Sequence, residues 1–376
     1  MGYLRRLLVA CFVLLGAVAA FNGLMDATGL LGTPLIAGVN QVKSYGNDRF
    51  FKPLAVERRQ PDTVFVGTSR VAVGLDPHDL PDAEAYNLGL LGSTVPEHIA
   101  FARYAIDNAP VTRLVFGLDF ASFVDPARYS SAFRLAILRP YAFWRAIPDL
   151  LLSQSELLQS RITLTHSRRH DLPRFAADGM LIAANEHDDN SDPVLRAILK
   201  VEQYARFYHW AGPPDGPLGD FDTFLAGLPP RVKTYVYVTP AHAVLGEALK
   251  PAGLTAEYDD WLRRITTICA AHGVPLWDFN GYNRITTETL SSSAHDFVDG
   301  AHTTPEVGRL ILGTLLQGAT VPDFGVRLRP DMIDEYLGAR RGAADAWRHD
   351  HPADWHRAAQ AATRADAGEA GKGQRQ

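Results

Sequence analysis

The chain has 376 residues, of which 47% are hydrophobic and 21% charged, a composition that excludes a disordered protein and leaves room for one large domain or two small ones with tails. A formal net charge of −5 and an isoelectric point near 6.2 give no electrostatic case for a nucleic-acid partner. The two cysteines, Cys11 and Cys269, sit in an apolar run and an amphipathic stretch, so the fold does not lean on a disulfide.

The N-terminus carries Arg5-Arg6 and then an uncharged run from Leu7 to Leu24 that ends before Asp26. Eighteen such residues reach the short end of a bilayer span, and the arginines put the N-terminus on the cytoplasmic side. Ala17-Val18-Ala19 also has the small-x-small form of a signal-peptidase site, so residues 1–25 read as an anchor or a signal peptide, and the anchor is preferred. Either way the rest of the chain is exported. Residues 26–60 read as a juxtamembrane connector.

From Asp62 the pattern alternates in the α/β manner. Strands are predicted at 62–67, 84–88, 113–119, 232–238 and 275–279, and helices at 94–109, 255–272 and 304–318. Within 255–272, Trp261, Leu262, Ile265, Ile268 and Cys269 fall on one apolar face, the mark of core packing. Residues 121–230 interrupt the alternation with helix-like stretches, 133–158 and 194–210, and then a Pro/Gly-rich run over 212–217. This reads as a mainly helical insertion, either beside the site or simply covering the sheet. An extension follows at 326–376, a loose helix at 339–362 with a disordered end at 368–376.

Three short motifs fall at predicted strand ends. Gly67-Thr68-Ser69-Arg70 follows the first strand, Tyr86-Asn87-Leu88-Gly89-Leu90-Leu91-Gly92-Ser93 spans the second, and Gly117-Leu118-Asp119-Phe120 closes the third. Far downstream, Asp299-Gly300-Ala301-His302 precedes the helix at 304–318. One loop can present Asp299 and His302 on the same side, with the carboxylate on one ring nitrogen and the other facing a serine. A serine hydroxyl is a weak nucleophile at its own pKa and needs such an oriented base. Strand carboxyl ends are where open α/β sheets gather their ligands.

In these blocks and their order the chain resembles the SGNH (GDSL-like) hydrolase superfamily over roughly residues 60–320, most nearly its membrane-anchored bacterial members related to O-acylation of envelope polysaccharides. The resemblance implies a three-layer α/β sandwich with a five-stranded, mainly parallel sheet of flavodoxin-like type over residues 61–325. It implies Ser69 as nucleophile, Asp299 and His302 as its partners, and Ser69 and Gly92 as oxyanion donors. Thr68 stands where the family has Asp, a common variant. Asp119 stands where the family has an oxyanion Asn, and an ionised carboxylate donates nothing to an oxyanion. Asp119 is then protonated, or it organises a neighbour, with a contact to Arg70 expected.

Arg70 and His242, which follows the fourth strand, are candidate substrate contacts. His295-Asp296 lies close to Asp299 but matches no zinc signature, and no metal or cofactor is expected. The function so read is an SGNH-type serine esterase or O-acyltransferase of the cytoplasmic membrane, single-pass, with its catalytic domain periplasmic. Its substrate is an acylated small molecule or envelope glycan, and the resemblance implies a membrane acyltransferase partner. The other reading is a non-catalytic anchored assembly or glycan-binding protein that keeps the fold.

Overall fold

The computed structural model of the protein describes residues 2–131, 133, 137–182 and 192–373. Helix α1 (Gly2–Met25) carries the apolar run, and among the described residues it alone is long and apolar enough to cross a membrane. Most of it is exposed, but Asn22 and Met25 in its last turns are buried. There Asn22 Nδ2 donates to Leu151 O at 3.0 Å and the Lys43 ammonium donates to Met25 O at 2.9 Å. The connector thus packs on the domain before α2 (Asp48–Arg59) begins, capped by the Asn47 side chain.

One sheet organises the rest, in the order β2-β1-β3-β4-β5-β6. Strands β1 (Thr63–Val66), β2 (Ala85–Asn87), β3 (Arg113–Leu118), β4 (Lys233–Val238) and β5 (Leu276–Asp278) run parallel. The sixth, β6 (Val326–Leu328), pairs antiparallel to β5. The sheet is therefore six-stranded and mixed, which corrects the expectation of five strands. β6 escapes a pattern search because it is only three residues long and exposes Val326 and Arg327 at an edge.

Period-two alternation covers both faces of the sheet. Val64, Val66, Leu114, Phe116, Val236 and Val238 enter one core, while Phe65, Val115 and Tyr237 enter a second on the opposite face. Between strands lie α3 (Ser69–Gly74), α4 (Val95–Asn108) and α5 (Phe120–Val124). Helices α6 (Ala142–Leu152), α7 (Gln154–Arg169), α8 (Pro193–His209) and α9 (Asp215–Ala226) make the insertion helical. Of the stretch predicted helical at 133–158, residues 134–136 lie outside the described residues. Helix α10 (Thr255–Ala271) buries Trp261, Leu262, Ile265 and Cys269 beside Phe120 and Phe123. Helix α11 (Pro305–Gln317) covers the second core with Val307, Ile311 and Leu312.

The C-terminal extension is not a loose helix. Helices α12 (Ile333–Asp350) and α13 (Pro352–Gly373) pack on the domain, burying Leu337, Trp347, Ala358 and Ala361. Alanines at close spacing let α13 approach α8, which a polar, low-hydropathy sequence conceals. Helix α13 enters the stretch expected to be disordered, of which 374–376 lie outside the described residues.

Candidate active site

The nucleophile turn follows from packing at the end of β1. A Cβ on Gly67 would come within 2.4 Å of Val71 Cγ2 and 2.9 Å of Gly117 O, so only glycine lets the chain turn this close to β3. Thr68 then caps α3, its Oγ1 accepting from Arg70 N at 3.3 Å. Ser69 is left half-buried at the first helical position.

The second half of the site is a tight loop. Phe297 and Thr303 form an antiparallel bridge, and Val298 N donates to His302 O at 2.8 Å. Inside it, Asp299 Oδ1 accepts from the N–H groups of Ala301 at 2.7 Å and His302 at 2.9 Å. Helix α11 docks this loop beside α3: a Cβ on Gly308 would lie 1.6 Å from Gly74 O, so no other residue permits that approach. As a result Ser69 Oγ lies 2.8 Å from His302 Nε2, within hydrogen-bond reach. On the other side of the ring, His302 Nδ1 lies 2.9 Å from Asp299 Oδ2 and 3.0 Å from Oδ1.

Asp299 and His302 are both buried, and the insertion brings Lys200 Nζ to 3.6 Å from Asp299 Oδ2. Burial pushes the Asp299 carboxyl up. The interaction with His302, the hydrogen bond between them, Lys200 and the Ala301 N–H outweigh burial and hold it well below the usual carboxylate range. The aspartate is thus a fixed anion that holds Nδ1 as the protonated nitrogen and leaves Nε2 to accept from Ser69.

The loop after β2 is clamped from three directions. Asn87 Nδ2 donates to Val71 O within α3 and to Leu75 O just past its end, while its Oδ1 accepts from Gly89 N. The buried Lys52 ammonium donates to Asn87 O, Gly89 O and Gly179 O at 2.6–3.0 Å. Burial pushes its pKa down to about 7. From α2, Arg49 donates to Leu91 O and Gly92 O and pairs with Glu97 at 2.8 Å. Gly92 sits at φ +50° and, like Ser69, donates its backbone N–H to none of the described residues. The connector helix thus fixes the loop that carries the candidate oxyanion glycine.

Asp119 does not meet Arg70 directly. Its Oδ2 accepts from Thr68 Oγ1 at 2.7 Å and its Oδ1 accepts from Ser122 N at 3.2 Å, so it caps α5 and braces the nucleophile turn. Arg70 turns into the interior instead, with long contacts to Thr239 Oγ1 at 3.4 Å and Tyr204 OH at 3.3 Å. His242 is buried with both ring nitrogens engaged: Nε2–H donates to Glu288 O and Nδ1 accepts from Val244 N. Burial lowers its pKa, consistent with a neutral ring held by the backbone. His295 and Asp296 cluster with Glu288, and Asp76, His78 and Asp178 form a similar group.

Comparison of the sequence with protein-family models and with curated proteins finds no match, so the chemistry is read from the geometry. Sequence reasoning missed Lys200, Tyr204 and Arg49. Each lies on a helix outside the motif blocks, and only tertiary packing brings it to the sheet edge.

Proposed function

We propose that the chain is a serine-dependent esterase or O-acyltransferase of the SGNH type that works through an acyl-enzyme on Ser69. The observation that carries this reading is the unbroken hydrogen-bond series Ser69–His302–Asp299, with its partners from opposite ends of the domain. In the first half-reaction Ser69 Oγ attacks the ester carbonyl carbon while its proton passes to His302 Nε2. The tetrahedral oxyanion is met by the N–H groups of Ser69 and Gly92. His302 then returns the proton to the departing alcohol as the C–O bond breaks. In the second half, water or a sugar hydroxyl attacks the acyl-Ser69 carbonyl, gives its proton to His302, and Ser69 leaves with that proton restored.

Water as acceptor makes the protein an esterase, and a glycan hydroxyl makes it a transferase. An envelope glycan is favoured as substrate by α1, which would tether the domain outside the cytoplasmic membrane beside a membrane acyltransferase. Asp119 serves as a brace on this reading, not as an oxyanion donor. Hydrolysis of an aryl acetate by the full-length protein in detergent tests the proposal. Ser69→Ala and His302→Ala should each abolish turnover, and Asp299→Asn should lower kcat by orders of magnitude with the fold intact. Wild-type turnover by Ser69→Ala would end it.

A further inference from the structure

A cavity of about 50 Å³ lies between the carboxyl edge of the sheet and α12, lined by Arg70, Tyr208, Tyr258, Asn280, Tyr282 and Arg340 among others. Two guanidinium groups line it, one from the nucleophile turn and one from α12. Arg70 is 8% exposed, and its Nε is buried with no hydrogen-bond partner. The Nε of Arg340 is likewise buried and unpartnered, and its guanidinium stacks over Tyr258 at 4.5 Å and Tyr282 at 5.9 Å.

The nearby carboxylates do not pair with these cations. Asp119 itself lines the cavity, with its oxygens engaged by Thr68 and Ser122. Asp278 accepts from Tyr336 OH at 2.8 Å and Asn280 N at 2.7 Å. Buried N–H donors without acceptors are costly, and a guanidinium fork is satisfied best by a planar two-oxygen acceptor. The aromatic walls tolerate the hydrocarbon side of such a group. The volume admits roughly three or four water-sized groups, which suits a carboxylate with one or two carbons.

We infer that this cavity is a carboxylate-binding site in which Arg70 and Arg340 close on one small carboxylate group. The inference stands apart from the chemistry at Ser69, since none of its donors belongs to the Ser69–His302–Asp299 series. Through Arg70, occupancy would also stiffen the turn that carries the nucleophile.

Thermal unfolding of the full-length protein in detergent tests this at constant ionic strength, with sodium acetate, benzoate or chloride added. Acetate should raise Tm saturably, by about 2–4 °C near ten times its Kd, whereas benzoate is too large and chloride lacks the planar pair of oxygens. The rise should vanish in Arg340→Gln and weaken at least fivefold in apparent affinity in Arg340→Lys, which folds with its charge kept but lacks the fork. Ser69→Ala should respond as the wild type does, which separates this site from the proposed catalysis. An equal rise in wild type and both Arg340 variants, an equal rise with chloride, or no rise with acetate would overturn the assignment.

Discussion

Thr68 Oγ1 donates to Asp119 Oδ2 at 2.7 Å, joining the residue before the candidate nucleophile to the end of β3. The carboxylate therefore faces a hydroxyl and a helix N-terminus and does not salt-bridge Arg70. An amide supplies one acceptor oxygen where the carboxylate supplied two, while alanine supplies none. Asp119→Asn should keep esterase activity within about tenfold of wild type. Asp119→Ala should cost about 1–2 kcal/mol of stability through the lost cap of α5. Urea unfolding alongside aryl acetate kinetics checks both, and a dead Asp119→Asn would show that the carboxylate itself takes part in the reaction.

Lys200 contributes a positive charge 3.6 Å from Asp299. Removing it weakens the hold on the Asp299 carboxyl that orients His302. Lys200→Met should therefore lower kcat for an aryl acetate by less than about tenfold, far less than Asp299→Asn does. A kcat equal to that of the wild type would show the lysine to be a bystander.

Ser93 Oγ lies 2.7 Å from His98 Nε2 in the interior beneath the Gly92 loop. Burial pushes the His98 imidazole down to about 4. In the unfolded chain the ring titrates near 6.5. Between those values the unfolded chain binds a proton that the folded one does not, so stability is full above pH 6.5 and falls as pH drops toward 4. The loss from this residue amounts to at most about 3 kcal/mol. His98→Gln should flatten the decline in urea midpoint over this window, and parallel declines would assign the acid sensitivity elsewhere.

Arg5 and Arg6 lie in the first turns of α1, ahead of its apolar run, and its last turns are tied to Leu151 and Lys43. An uncleaved α1 should leave the whole chain in the membrane fraction, with a periplasmic reporter at its C-terminus active and a cytoplasmic one silent. Recovery of a soluble periplasmic form that starts near Ala20 would replace the anchor with a cleaved signal.

Much of the frame was legible because it is local. The five parallel strands announce themselves as short buried runs, and Gly67-Thr68-Ser69 and Asp299-Gly300-Ala301-His302 are each continuous in sequence. What stayed hidden depends on contacts between distant segments. Three-residue β6 is too short and exposed to leave a periodic trace. Alanine-rich α13 looks solvated until α8 is seen against it. Charge complementarity alone suggested that Arg70 would meet Asp119. Thr68 had the shorter reach to that carboxylate, and Tyr204 of α8 offered the guanidinium an aromatic face.

Covalent labelling tests most directly whether Ser69 is an activated nucleophile. A fluorophosphonate should modify the full-length wild-type protein at one residue, with the mass increment on the peptide that contains Ser69. Labelling should be lost in Ser69→Ala and slowed by orders of magnitude in His302→Ala. No labelling of the folded wild type, or equal labelling of Ser69→Ala, would contradict the serine mechanism and favour a non-catalytic binding role for the domain.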